Sequence, residues 1–248
     1  MPRFFIDDEN ISEKEIKIIG EDVKHIKNVL RLSIGSILTL CDQKGNDYET
    51  KIKNIDKDCI HTEAIDKKKS LGEPAIEVVL FQSIPKSDKM DFIVQKSVEL
   101  GVSKIIPVIT ERTIVKFTDS ASIQKKVQRW QKISAEASKQ SERGKVPVVS
   151  VPLKFEDAVK CVKDYDLFVI PYEKERQCGI RKVIDNKCGI KRIGIMIGPE
   201  GGYSEEEILK AITLGAEVVT LGPRILRTET AGMFVVSIIM YQLGDVNL

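Results

Sequence analysis

The sequence predicts an α/β protein with a parallel sheet, preceded by a small β-barrel. From Ile76 onwards, short apolar runs alternate with helical patterns, and such runs are typical of strands buried on both faces of a parallel sheet. Residues 1–66 instead contain several short strand patterns separated by turns, which indicates a small barrel. Between residues 192 and 233, a strand, a glycine-rich loop and a helix follow one another twice.

Five strands and one helix are predicted in the N-terminal part. Turn candidates lie at 43–46 and 56–58, and the helix covers Glu21–Leu32. Charged residues, Gly and Pro occur at Asp66–Pro74 without an apolar period, which predicts a linker and domains at 1–72 and 73–248. The predicted strands are Arg3–Ile6, Glu15–Ile19, Ile37–Cys41, Tyr48–Ile55 and Cys59–Ile65.

The C-terminal part is predicted to alternate between strands and helices. Gly101 and Gly144 each follow a helical pattern, at a position where glycine commonly ends a helix. The predicted strands are Ile76–Phe81, Lys104–Ile109, Val146–Val151, Asp166–Ile170, Ile193–Ile197 and Val218–Leu221. The predicted helices are Ser87–Leu100, Ala121–Arg143, Phe155–Lys163, Ser204–Leu214 and Thr230–Leu243.

Composition limits the classes of protein to consider. The 248 residues carry a net charge of only +2, so evidence for a nucleic-acid partner must come from where the charges lie. No apolar run approaches the ~20 residues of a membrane span, and the N-terminus has no signal core, so we expect a cytoplasmic protein without a membrane partner. Five scattered cysteines and two histidines predict neither disulfides nor a metal site.

Two glycine-rich loops are the strongest functional signal. Gly198-Pro199 and Gly222-Pro223 each follow an apolar strand, and ligands bind at such loops in open α/β sheets. The first loop lacks the glycine spacing of phosphate-binding loops, and Glu200 would repel a polyphosphate. We therefore expect a ligand without phosphates, the alternative being two tight turns that bind nothing. Ser204–Glu207 predicts a capping box that starts the following helix.

The second loop contains two unexplained cations, Arg224 and Arg227. Glu229 and Thr230 lie near the start of the next helix, where first-turn and capping roles would explain both. The same explanation fails for the arginines, because a helix N-terminus disfavours positive charge. Two cations at this position predict an anionic partner.

A cationic stripe on the predicted helix Ala121–Arg143 is a candidate contact for a phosphate backbone, although a solvated helix face would have the same pattern. At ~100° per residue its members share one face; they are Lys125, Arg129, Lys132, Lys139 and Arg143. Lys86 and Lys89 are weaker candidates for RNA contact on the preceding helix. Arg3, His25 and Arg31 are the N-terminal candidates, with an ordinary surface role as the alternative.

A family resemblance rests on two motifs in this order, IGPEGGYSEEEI and LGPRILRTETAG. They resemble the RsmE family, the ribosomal RNA uridine-N3 methyltransferases of the SPOUT superfamily. Similar segments, such as PRFF and HIKNVLRLSIGS, extend the resemblance over essentially the whole chain. It implies an N-terminal PUA-like β-barrel that binds RNA and a C-terminal SPOUT domain with a trefoil knot. It also implies S-adenosyl-L-methionine as cofactor, a homodimer, and a uridine of 16S rRNA in the small ribosomal subunit as substrate.

The resemblance further implies which residues contact the cofactor. They are Ile170, Pro171, Ile197, Gly198, Pro199, Glu200, Gly201, Gly202, Leu221, Gly222, Arg224, Ile225, Leu226 and Thr228. For the chemical step, we expect Arg227 to stabilise negative charge on the uracil oxygens and Glu229 to accept the N3 proton, with Glu200 as the alternative acceptor. Two other functions remain open. One is a non-catalytic RNA-binding or ribosome-assembly factor, and the other is a SPOUT methyltransferase with another RNA target.

Overall fold

The computed structural model describes residues 1–12, 15–115, 117 and 119–246. The chain folds into two units. The first comprises Met1–Glu73 together with Ser138–Val146, and the second comprises Pro74–Ala137 together with Pro147–Leu248. The functional division at 1–72 and 73–248 stays a prediction.

A five-stranded sheet forms the first unit. Its strands are β1 (Arg3–Phe5), β2 (Glu15–Ile19), β3 (Ile37–Cys41), β4 (Asn46–Ile55) and β5 (Cys59–Lys69). They lie in the order β1-β3-β4-β5-β2, and every pair is antiparallel except β1 with β3. Apolar side chains such as Phe4, Ile16, Leu38 and Ile60 form one core, which agrees with the predicted N-terminal β-domain.

Two local predictions in this unit are wrong. The predicted linker covers Asp66–Pro74, but residues 66–69 are the end of β5, where Lys67 pairs with Tyr48 and Lys69 with Asn46. Pairing with β4 thus extends the strand although its sequence is charged. The predicted helix is also shorter, because α1 (Glu21–Lys24) continues as a π-helical turn over His25–Val29. Arg31 then adopts a left-handed backbone conformation with φ of 52°, which ends the helical segment.

Among the described residues, seven strands form the sheet of the second unit, which is parallel as predicted; six strands were predicted, and the short strand Leu153–Lys154 was not among them. They are β6 (Glu77–Ser83), β7 (Lys104–Ile109), β8 (Val148–Val149), β9 (Leu153–Lys154), β10 (Leu167–Pro171), β11 (Arg192–Ile197) and β12 (Glu217–Val219). Their order is β12-β10-β11-β6-β7-β8, with β9 pairing with β7. Strand order alone does not establish the trefoil knot, which stays a prediction.

Helices cover both faces of this sheet. They are α2 (Lys89–Glu99), α3 (Ser120–Gln140), α4 (Phe155–Ala158), α5 (Ile180–Asp185), α6 (Glu205–Thr213) and α7 (Thr228–Leu243). Neighbouring side chains of β6 alternate between two cores: Leu80 belongs to one, and Phe81 to the other. Burial on both faces explains why the strands are apolar throughout. The short helix α5 was not predicted, and α3 ends three residues before Arg143.

The predicted capping box at α6 is confirmed. The Ser204 hydroxyl accepts a hydrogen bond from the Glu207 backbone N–H at 3.3 Å, and the Ser204 N–H donates to Glu207 Oε2 at 3.0 Å. The other Glu207 oxygen accepts from the Glu111 N–H at 3.0 Å. These bonds fix the point where the loop after β11 enters α6.

Among the described residues, no helix combines the length and apolarity that crossing a membrane requires.

Candidate active site

A cavity of about 490 Å³ lies at the carboxyl ends of β10, β11 and β12. This volume is within the range of ligand pockets, roughly 300–1,000 Å³. The three strands are parallel neighbours, so the loops that follow them meet at one edge of the sheet. Loop residues 171–176, 197–203 and 220–228 supply most of the lining.

The structure brings nearly all the predicted cofactor residues together. Arg227 and every member of that set except Ile170 line the cavity. Ile170 is fully buried in the core on one face of the sheet, because side chains alternate along β10 and only the neighbouring Pro171 faces the cavity. Glu229 does not line the cavity but bonds to Lys89, which does.

Several lining residues escaped the sequence analysis. They are Tyr172, Glu173, Arg176, Tyr203, Thr220 and Ala231, while Lys89 had been assigned to RNA contact. A usable signal was present for Tyr172 and Glu173, because they directly follow the strand that ends at Pro171. Ligand-binding residues are expected at that end of a parallel strand.

The Thr228 side chain holds the first glycine loop. Its hydroxyl donates to the Gly198 carbonyl at 2.6 Å and accepts from Gln82 Nε2 at 2.9 Å. The Gln82 amide is fully buried and also donates to the Ser83 carbonyl at 3.0 Å. These bonds join the end of β6, the loop after β11 and the first residue of α7 beside the cavity.

Two glycines of the loops are required by the backbone itself. Gly202 and Gly222 have φ of 67° and 97°, in the left-handed region that favours glycine. A Cβ at Gly198 would lie 3.0 Å from the Tyr203 ring. The glycines would also be required in tight turns that bind nothing. The evidence for a ligand is therefore the cavity between the loops.

Lys89 lies in the cavity wall and bridges two carboxylates. Its Nζ lies 3.2 Å from Glu200 Oε1 and 3.3 Å from Glu229 Oε2. The bonds to Glu200 and Glu229 raise the pKa of Lys89 despite desolvation. Partial burial acts to raise the pKa of Glu200, but backbone N–H groups and the Lys89 ammonium bring it below its ordinary value. At neutral pH, Lys89 is therefore a cation and Glu200 an anion.

The two arginines of the second loop are open to solvent. Arg227 caps α7 through its backbone, since its carbonyl accepts from the Thr230 and Ala231 N–H groups at 2.9 and 2.8 Å. Its side chain provides no cap. Within the part of the chain that the structure describes, neither the Arg224 nor the Arg227 guanidinium makes a hydrogen bond or ion pair. Both remain available to an anionic partner.

Three of the predicted RNA-contact residues have ion-pair partners within the first unit; the side chains of Arg3 and Arg143 are largely buried, and we correct those two assignments. Arg3 pairs with Asp47 through two bonds of 2.6 and 3.0 Å and donates to the Arg143 carbonyl. Arg143 is only 3% exposed and its Nε lies 2.8 Å from Glu73 Oε1. Lys139 pairs with Asp22 at 2.8 Å.

The remaining candidates for RNA contact are at the surface. Lys89 belongs to the cavity wall described above, and Arg129 pairs with Asp91. The exposed set is His25, Arg31, Lys86, Lys125, Arg129 and Lys132. RNA contact by these residues stays a prediction.

No group of three or more metal-ligating side chains is found among the described residues.

Two protein families match the sequence. Residues 72–240 match a family described as an RNA methyltransferase domain, and residues 18–69 match the RNA methyltransferase PUA domain. Together the matches extend over most of the chain, and the first alone covers more than half of it.

Relatives and solved structures of the same kind align over nearly the full length. The ribosomal RNA small subunit methyltransferase E of Bacillus subtilis is 34% identical over 98% of this chain and 97% of its own. The Neisseria gonorrhoeae protein of that name, in a crystal structure with S-adenosyl methionine, is 35% identical over 99% of both chains, with a TM-score of 0.87. A Legionella pneumophila methyltransferase in complex with the same cofactor is 30% identical over 98% of both chains, with a TM-score of 0.87.

Replacing Lys89 with Met should raise the pKa of Glu200, because the carboxylate loses its ammonium partner. A lowered pKa means that ionised Glu200 stabilises the folded state above the unfolded pKa of about 4.3, and that this contribution is lost as the pH falls through the folded pKa. In Lys89→Met, the folded-state pKa lies closer to the unfolded value, so this loss should be smaller and should be complete at a higher pH. NMR titration of the Glu200 side chain, with urea unfolding across the same acidic range, measures both effects.

Lys96→Met is the matched control, since Lys96 lies on the same helix and pairs with Glu99 outside the cavity. It should leave the Glu200 titration unchanged. An unchanged Glu200 pKa in Lys89→Met would contradict the role given to the ammonium.

Proposed function

We propose the function of this chain from one premise: it belongs to the family of ribosomal RNA small subunit methyltransferase E proteins. The proposed reaction is transfer of a methyl group from S-adenosylmethionine to N3 of a uridine in 16S rRNA of the small ribosomal subunit. One observation carries the proposal, namely a cavity walled by three strand-end loops whose lining includes Arg224 and Arg227, with no side-chain partner for either among the described residues. Such a substrate implies a reaction in the cytoplasm.

The cavity fits S-adenosylmethionine by its chemistry. Apolar side chains such as Ile197 and Leu226 suit an adenine ring, and glycine backbone allows close approach to a ligand. Arg224 and Arg176 carry charge suited to the ligand's carboxylate. The predicted cofactor residues other than the buried Ile170 would hold it. When bound, S-adenosylmethionine supplies an activated methyl group on a sulfonium sulfur.

The target nitrogen must reach the cavity and lose a proton. Uridine N3 lies on the Watson–Crick edge, so the base must be unpaired or flipped out of its stack. We assign Arg227 to stabilise negative charge on the uracil oxygens, because its guanidinium is exposed and lines the cavity. Deprotonated N3 would then take the methyl group that bound S-adenosylmethionine supplies, with the electron pair of the broken S–C bond staying on sulfur.

Glu229 is the proposed acceptor of the N3 proton. The alternative, Glu200, has a lowered pKa and is held by Lys86 N–H as well as Lys89, so it is the poorer base. The Glu229 side chain is 16% exposed and lies in the first turn of α7, directly after the cavity-lining Thr228 and two residues before the cavity-lining Ala231. A glutamate in the first turn also stabilises a helix N-terminus, so the rate of methylation by Glu229→Gln distinguishes the two roles.

Arg227→Ala and Glu229→Gln should each slow single-turnover methylation by about 10²-fold or more, because each removes a group that acts in the chemical step. Small subunits from a strain lacking the enzyme serve as substrate, and mass spectrometry of the 16S rRNA identifies N3-methyluridine. Calorimetry should give cofactor affinities close to wild type for both variants.

Glu205→Gln is the control, since Glu205 is an exposed carboxylate on α6 that pairs with Lys174 outside the cavity lining. Near-wild-type rates for Arg227→Ala and Glu229→Gln would remove both from the chemical step. Product at another position or in another RNA would contradict the assigned substrate, and a wild-type protein that binds no cofactor would favour a non-catalytic assembly factor.

The domain at 1–72 is proposed to bind RNA together with exposed cations of the domain at 73–248. Lys125 and Lys132 are exposed on α3. His25 and Arg31 are exposed in the N-terminal domain. Such cations suit a phosphate backbone, because contacts with phosphates are electrostatic and do not depend on the RNA sequence.

Reversing two of these charges, with Lys125→Glu and Lys132→Glu, should weaken RNA binding and flatten its salt dependence. Each lost phosphate contact reduces the slope of log K against log salt by about 0.7 to 0.9. Fluorescence anisotropy over a salt series measures the slope. Lys163→Glu is the control. Lys163 follows Val162, and Val162 packs in the core on one face of the sheet, whereas Trp130 of α3 packs in the core on the other face. An unchanged slope in the double variant would make this helix face an ordinary solvated surface.

A homodimer is also proposed, with the outer face of α7 in its interface. Phe234 and Tyr241 are 39% and 57% exposed on this helix, and Ile225 in the preceding loop is 82% exposed. Exposed aromatic side chains of this kind are enriched where proteins associate. Sedimentation velocity should give twice the chain mass, and Phe234→Glu should shift the protein towards monomer; a monomeric wild type would contradict the proposal.

A further inference from the structure

We infer that Glu173 recognises the two ribose hydroxyls of the cofactor and so determines specificity for an intact ribonucleoside. The inference rests on the proposed function, since it takes the cavity to be the S-adenosylmethionine site. Glu173 lines the cavity, but it has no role in the proposed methyl transfer.

Glu173 joins two of the cavity loops. It lies two residues beyond the end of β10 and lines the cavity. Its carboxylate sits against Gly202 in the loop after β11, because a Cβ added to Gly202 would lie 2.9 Å from Oε1 and 3.2 Å from Oε2. A side chain at position 202 would displace this carboxylate, so the glycine also serves to make room for it.

The Glu173 carboxylate differs from the carboxylates near it, because it has no partner in the part of the chain that the structure describes. Glu200 and Glu229 share Lys89, Glu205 pairs with Lys174, and Glu175 accepts from the Gln177 and Cys178 N–H groups at 2.6 and 2.9 Å. For Glu173, the described portion of the chain contains no hydrogen bond or ion pair. An exposed glutamate is often only solvated, but this one has two free acceptor oxygens in the wall of a ligand-sized cavity.

A ribose diol matches those two oxygens. A carboxylate accepts hydrogen bonds only, and the 2′ and 3′ hydroxyls are adjacent donors that one carboxylate can receive together. An acidic side chain near the end of a parallel strand binds ribose hydroxyls in this way in dinucleotide-binding α/β folds. The ligand's ammonium group is the competing donor, and the two are separable by experiment.

Calorimetry with two probes tests the inference. S-adenosylhomocysteine carries the ribose diol and the ammonium group, whereas 5′-methylthioadenosine carries the diol without the ammonium. Glu173→Ala should weaken both probes by the same factor, about tenfold to a hundredfold, because hydrogen bonds to a charged acceptor are lost in each complex. Glu173→Gln, which retains one acceptor oxygen, should give a smaller loss for both.

Glu205→Ala is the control and should leave both affinities unchanged, with thermal unfolding used to verify that each variant folds. Weaker binding of S-adenosylhomocysteine alone would assign Glu173 to the ammonium and overturn the inference. Unchanged affinities for both probes would also overturn it. Failure of the wild-type protein to bind either probe would instead contradict the proposed function, on which the inference depends.

Discussion

The site depends on one buried hydroxyl, that of Thr228. It is the point where the end of β6, the loop after β11 and the start of α7 are held together, although Gln82 and Thr228 are 146 residues apart in the chain. Without it, the Gly198 carbonyl would lose its donor beside a buried amide, at a cost of about 1–3 kcal/mol. The cavity wall formed by residues 197–203 therefore depends on a contact between distant parts of the sequence.

The second constraint is the distribution of charge around that wall. Lys89 satisfies both Glu200 and Glu229, whereas Arg224 and Arg227 keep their charge available. Lys89 lies at the N-terminus of α2, and Arg227 at that of α7. The helix dipole disfavours positive charge at these positions, so the stability of the helices does not explain why cations occur there. Around Lys89, two carboxylates compensate the dipole; around the arginines, an anionic partner is the compensation that we propose.

Local patterns in the sequence were sufficient to predict the features that depend on residues close together along the chain. Apolar runs alternating with helical patterns predicted the parallel sheet, and Ser204 with Glu207 predicted the capping box, because both signals are local. The failures came from contacts between distant residues. Pairing with β4 turned the charged segment 66–69 into strand, and burial beside Glu73 removed Arg143 from the surface. The two loops were predictable as a site, whereas the Lys89 bridge and the Gln82–Thr228 bond required the fold.

The Thr228 hydroxyl holds the loop 197–203 that forms part of the cavity wall, and we propose this cavity as the cofactor site. The most direct measurement is the calorimetric affinity for S-adenosylmethionine of Thr228→Val, which keeps the side-chain shape without the hydroxyl, beside Thr228→Ser, which keeps the hydroxyl. The account predicts a loss of about tenfold or more in Thr228→Val and near-wild-type affinity in Thr228→Ser, since one buried hydrogen bond to the loop is removed only in the first. Equal affinities in a folded Thr228→Val and in Thr228→Ser would contradict it.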